Sequence, residues 1–217
     1  MARYTFDQYR KIFDGVLAKY EGVPFFADVI KGNRRPDFPA NPREVAVFGI
    51  RHEGEKVHHR DDIADDTLSL VRIATTGEQQ VYEYRGTTEP GYFTTAANPL
   101  GVFMLSPGLY FFKIGKHHGV NDCLVQACTV IGERAQPETD FNLTDDKTWQ
   151  ITDGSIHIHA GIRNLNHVGN WSEGCQVIAG EWEGAQWREF YKYTQMATNF
   201  PVPYVLVEEA DIPQFLA

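Results

Sequence analysis

From Tyr4 to Gly22 the chain reads YTFDQYRKIFDGVLAKYEG, and its apolar residues Phe6, Tyr9, Ile12, Phe13, Val16, Leu17 and Tyr20 recur every three to four positions. That period places them along one stripe of an α-helix, with Gly22 as its stop. Residues 22–44 lose the period. Pro24, Gly32, Pro36, Pro39 and Pro42 interrupt them, and KGNRRPDFPANP predicts a linker or laid-down loop. Short apolar runs follow, broken by turn residues: REVAVFGIR, LSLVRIATT, QQVYEYRGT, GVFMLSPGLYFFKIG, DCLVQACTVIG, SIHIHAG and GCQVIAG. Runs of this length and spacing predict a mostly antiparallel β domain. Trp182, Trp187, Phe190, Tyr191 and Tyr193 mark one further helix, and PVPYVLVEE a last strand. The expected fold class is therefore mainly β (α+β), a β-sandwich or barrel with an N-terminal helix and a second helix near the C-terminus. A helical, Pro-rich extension is expected over 1–42 and the β domain over 43–217.

Composition narrows the function. The 217 residues are 42% hydrophobic, enough for a substantial core. A formal net charge of −9 argues against nucleic acid as a partner, since phosphate binding needs an excess of Lys and Arg. No run of about 18 apolar residues is present, so no membrane span is expected. The first twenty residues lack the apolar core of a signal peptide. A protein that is cytoplasmic as synthesised is the expectation. Three cysteines, with no CxxC pair, suit a reducing compartment and leave Cys175 as a free thiol.

The chemistry is concentrated in HIHAGIRNLNHVGNWSEGC, residues 157–175, which holds three of the chain's eight histidines and one of its three cysteines. Alternation along SIHIHAG points His157 and His159 to one face of a strand and Ile156 and Ile158 to the other. Cys175 sits in a polar turn beside Gly174, where an imidazole from that strand can reach it. Such a pair lets the histidine take the thiol proton and later return it to a leaving amine, while backbone N–H groups near Gly174 and Cys175 face the oxyanion. An activated Cys175 would outpace Cys123 and Cys128 in alkylation. His157, His159, His167 and Cys175 are also of the right types for zinc, but no H-x₃₋₅-H or C-x₂₋₄-C pair accompanies them. Neither a metal nor a cofactor is expected. His167 is expected to be exposed, and His117 and His118, in KIGKHHGVND, read as a turn bearing two imidazoles, with a place at the border of the same cleft left open. The acidic stretches RDDIADD (60–66) and DFNLTDDKTWQI (140–151) read as solvated surface, the latter lacking the glycine and glutamate of a calcium loop.

Cys175 follows His159 by 16 positions, and the order IHAG…SEGC resembles the signature of the L,D-transpeptidase (YkuD-type) family. The resemblance is strongest over 155–178 and extends loosely over 87–127, where the chain is similar to phage- and prophage-associated relatives. It implies a YkuD-like catalytic domain with Cys175 as nucleophile, His159 as base and His157 as a possible orienting group. Trp171, Ser172, Gly174 and His118 become candidates for shaping the turn and holding substrate. The implied partner is a peptidoglycan stem peptide, attacked through a thioester. Transfer to an amine, hydrolysis by a phage-lysis or delivered enzyme, and a non-catalytic wall-binding module all remain open. The implied route to the wall is delivery by phage or another export path. Ala160 and Val177 depart from the family pattern, which commonly has Gly and Arg at these positions.

Overall fold

Thr5 opens the first helix because its hydroxyl accepts from the Gln8 backbone N–H, while the Gln8 side chain accepts from the Thr5 N–H. This reciprocal cap, worth about 1 kcal/mol, starts α1 (Phe6–Glu21), and the predicted apolar stripe from Phe6 to Leu17 is buried. The computed structural model describes residues 2–33, 35–52, 63–91, 101–135, 147–161 and 166–217.

The stretch predicted as a loop contains a second helix, α2 (Pro24–Asn33). Pro24 occupies its first position, where a missing N–H costs nothing and a fixed φ helps. Phe26, Val29 and Ile30 then bury one face. Proline marked the start of this helix rather than its absence.

The strands are β1 (Val45–Arg51), β2 (Asp66–Ile73), β3 (Gln79–Thr87), β4 (Val102–Leu105), β5 (Gly108–His117), β6 (Asn121–Gln126), β7 (Val130–Ala135), β8 (Lys147–Ile151), β9 (His157–Ala160), β10 (Gln176–Ile178) and β11 (Val202–Glu208). Eight of them close a barrel in the order β1-β11-β5-β6-β9-β10-β3-β2, and β4-β7-β8 form a second sheet. The mainly β expectation holds, in the form of a barrel. Most pairs are antiparallel, but β1 with β11 and β9 with β10 run parallel. Helices α3 (Ala185–Gln195) and α4 (Ile212–Leu216) complete the chain. Among the described residues, no helix is long and apolar enough to cross a membrane.

Alternation sorts the barrel side chains. Val45, Val47, Leu68, Leu70, Tyr110, Phe112, Ile156, Ile158, Ile178, Tyr204 and Leu206 share one core with Trp187 and Phe190 of α3. The opposite faces of β1, β5 and β11, with Phe48, Ile50, Phe111 and Val205, pack under α1 and α2 in a second core. The N-terminal helices are therefore built into the same packed body as the barrel.

Two acidic stretches differ from expectation. Residues 60–62 and 140–146 lie outside the described residues, but Asp66 is 2% exposed, with its carboxylate accepting from His52 N, Thr88 N and Thr88 Oγ1. It is an internal acceptor, not a solvated turn residue. Lys147–Ile151 forms β8 against β7, a strand the acidic composition concealed.

Candidate active site

Cys175 directly precedes β10, which runs parallel to β9 with Gln176 opposite Ile158 and Val177 opposite His159. Parallel pairing thus brings the nucleophile candidate beside the HIHA strand. Ile158 and Ala160 belong to the barrel core, so His157 and His159 project from the other face.

The turn before β10 is held from both sides. Ser172 Oγ donates to Cys175 O at 2.7 Å and accepts from Gly174 N at 3.3 Å. Gly174 has φ of 139°, and a Cβ there would lie 2.7 Å from the carbonyl oxygen of Phe103. Both the torsion and the space call for glycine. Phe103 N donates to Glu173 O and Gly91 N donates to Ser172 O, which fixes the turn to β4 and to the chain beyond β3. Gln176 continues the bracing inside the barrel, where Tyr204 donates to its Oε1 at 2.6 Å and its Nε2 donates to Gly174 O at 3.2 Å.

The imidazoles have assignable protons. His159 Nδ1 lies 2.7 Å from Ala160 O, and a carbonyl only accepts, so Nδ1 carries the hydrogen and Nε2 the lone pair. That Nε2 is buried and has no hydrogen-bond partner among the described residues. His157 Nε2 lies 3.0 Å from Gly154 O, and its Nδ1 lies 2.7 Å from His117 Nδ1. His157 therefore donates to Gly154 and accepts from His117. A ring nitrogen of His117, one of His159 and Cys175 Sγ all lie within 4.8 Å of one another. His117 faces His159 with ring centroids 4.3 Å apart, and Trp182 stacks on His159 at 5.4 Å and 13°.

The structure assigns the candidates different places. His157 reaches the cluster through His117. His118 is exposed, with φ of 49°, and meets the edge of His117 at 4.1 Å. Ser172 is fully buried and its hydroxyl is used within the turn, so it positions Cys175. Gly174 shapes the same turn, and its N–H is engaged by Ser172, which removes one of the two oxyanion donors expected there. Trp171 is 39% exposed and its indole lies over Gly161, where a Cβ would come within 2.4 Å of the ring. His167 is exposed. Residues 92–100, within the looser part of the resemblance, lie outside the described residues.

Sequence reading had His117 at most at the border of the cleft, in a turn, and did not assign Trp182 to the site. For His117 a signal existed: alternation along β5 puts Lys113, Gly115 and His117 opposite Tyr110 and Phe112. Which strand lies beside β5 was not in that pattern.

Every group in the cluster is held neutral. Burial first, then the neighbouring imidazoles, push His159 down to about 3 and His117 down to about 4, and His157 is lowered for the same leading reason. Burial pushes the Cys175 thiol up to about 11, with Glu173 adding to the rise and a hydrogen bond to the His157 backbone opposing it. The resting pair is a thiol beside an imidazole. Cys128 is also pushed to about 11 and Cys123 to about 12, both mainly by burial, so acidity does not favour Cys175 over Cys128. Alkylation of Cys175 by iodoacetamide, followed by peptide mass spectrometry, is expected to quicken about tenfold per pH unit from pH 7 to 10. A flat rate through that range would indicate a thiolate already formed at neutral pH.

An open cleft adjoins the cluster at Trp182, lined also by Asn121, Asp122, Arg188 and Lys192. Against protein-family models, curated proteins and solved structures, the chain matches none.

Proposed function

We propose that the chain is a cysteine-dependent acyl-transfer enzyme of the L,D-transpeptidase type, acting on peptidoglycan stem peptides. The observation that carries this reading is the juxtaposition of Cys175 Sγ with His159, whose unprotonated Nε2 has no other partner among the described residues. The resemblance in IHAG…SEGC supplies the substrate class.

The chemistry follows from neutral partners. His159 Nε2 takes the Sγ proton as sulfur attacks the carbonyl beside a D-amino acid, so that the separated charges exist only as the bond forms. The tetrahedral centre collapses to a thioester, and the His159 proton passes to the departing amine. An acceptor amine or water then gives its proton to His159 and attacks the thioester, and sulfur leaves and is reprotonated. His159 Nδ1 stays bonded to Ala160 O throughout, which keeps Nε2 as the working nitrogen.

Val177 stands where the family commonly has Arg. It is fully buried beside Ala64, Val168 and Ala179, a setting that suits an apolar side chain. Cations for a stem-peptide carboxylate come instead from the cleft, through Arg188 and Lys192.

Intact-protein mass spectrometry with purified tetrapeptide stems tests the reading. An acyl adduct on Cys175 is expected, with cross-linked product if an amine resolves it and shortened peptide if water does. His159→Gln is expected to slow adduct formation by about 10²–10⁴-fold. Full activity in that variant would remove the histidine from the mechanism, and no adduct across several stem types would overturn the substrate class.

A further inference from the structure

We propose that His117, His159 and Cys175 form a three-ligand site for Zn²⁺, with the fourth position open. The site does not depend on the acyl-transfer reading.

The three ligand atoms come from β5, β9 and the turn before β10, and already lie within 4.8 Å of one another. Their hydrogen bonds prepare the two histidines. Ala160 O holds the proton of His159 on Nδ1, leaving a buried Nε2 without a partner among the described residues. Gly154 O holds the proton of His157 on Nε2, so His157 Nδ1 accepts and His117 Nδ1 must donate to it. His117 is thereby also left with its lone pair on Nε2. Zinc-bound histidines characteristically give their other ring N–H to a carbonyl or similar acceptor, which fixes the tautomer and the ring plane. Both rings are held in that way here. A Cys–His nucleophile pair needs one imidazole, whereas here a ring nitrogen from each of two lies within 4.8 Å of one sulfur, and each ring keeps an unprotonated Nε2.

Tetrahedral zinc bonds of about 2.0–2.3 Å set ligand atoms roughly 3.3–3.6 Å apart. The cluster therefore has to contract by about 1 Å. Rotation of the Cys175 side chain supplies part of this, at the cost of its 3.9 Å contact with Ser155 O and its hydrogen bond to the His157 backbone. Binding forms the Zn–S bond and releases the thiol proton to solvent. Trp182, stacked on His159, covers one side, and a water or an exogenous ligand completes the coordination. The ion occupies the same sulfur and nitrogen that acyl transfer needs, so metal and acyl group exclude each other.

The test uses the full chain, stripped with a chelator and titrated with Co²⁺ as a spectroscopic probe. One Co²⁺ per chain is expected, with a thiolate-to-metal charge-transfer band and tetrahedral d–d absorption, displaced by Zn²⁺. Zn²⁺ should also protect Cys175 from iodoacetamide, and chelator should restore labelling. Cys175→Ser is expected to lose the charge-transfer band, and His117→Ala to weaken binding by about 10²-fold or more. His117→Gln serves if circular dichroism shows His117→Ala unfolded. Absence of the thiolate band, unchanged affinity in the folded His117 variant, or Zn²⁺ binding without protection of Cys175 would each overturn the site. Acyl-adduct formation is measured separately on metal-stripped protein, so the failure of either idea is distinguishable from that of the other.

Discussion

Cys175→Ala is expected to abolish acyl-adduct formation and lower product release by about 10⁶-fold, the scale reached when a covalent nucleophile is removed. No other thiol stands in for it. Cys123 is fully buried in β6, and Cys128, between β6 and β7, is occupied by accepting from Phe111 N of β5 at 3.3 Å. Stability should change little, within about 1 kcal/mol, because the backbone of the turn is held by Ser172, Phe103 and Gly91 rather than by sulfur. The measurement is intact mass and product analysis with stem peptides, alongside a thermal transition. Product at the wild-type rate from the alanine variant would dismiss Cys175 as the nucleophile. A wild-type protein that forms no product, while the variant keeps affinity for peptidoglycan, would identify a binding module on this barrel.

The largest expected loss of stability is at Arg51. Its guanidinium is 4% exposed and donates to Thr88 Oγ1, Thr88 O, Leu105 O and Glu208 Oε1 at 3.0–3.1 Å, with Glu89 Oε1 at 3.4 Å. Burial works against its charge, but Glu208, Glu89 and Asp66 outweigh burial and raise its pKa above the ordinary value. Arg51→Met removes the cation and leaves these acceptors in the interior. Breaking a buried pair from one side costs about 3–5 kcal/mol, a large share of the roughly 5–15 kcal/mol that holds a domain folded. For a chain of this size the melting temperature should fall by about 6–20 °C. The damage should also reach the site. Thr88 O accepts from Gln176 Nε2 as well, at 3.4 Å, and Gln176 directly follows Cys175. Denaturant unfolding checks the stability, and a loss below about 1 kcal/mol would show that the carboxylates re-solvate or take up protons at little cost.

Much of this architecture was legible because periodicity is a local property. The stripe from Phe6 to Leu17 could only be one face of a helix, and QQVYEYRGT coincides with β3. His157 and His159 were readable as neighbours on one strand face, and Cys175 as a turn residue, from a dozen positions of sequence. Where composition replaced periodicity, the reading failed. Prolines in 22–44 hid α2, and the acidic stretches hid both β8 and the burial of Asp66.

The sequence by itself determined which residues share a face and that one thiol and several imidazoles lie close along the chain. Tertiary structure decided the rest, because strand order is set by packing between distant segments rather than by alternation within one. Pairing of β5 with β6, and of β6 with β9, carries His117 to His157 and His159. Tertiary packing joins Arg51 of β1 to Thr88, just past β3, and to Leu105 of β4 in the second sheet. Protonation was likewise beyond the sequence: the same Cys and His residues would form an ion pair in a solvated cleft, whereas burial among other imidazoles keeps this thiol and these rings uncharged.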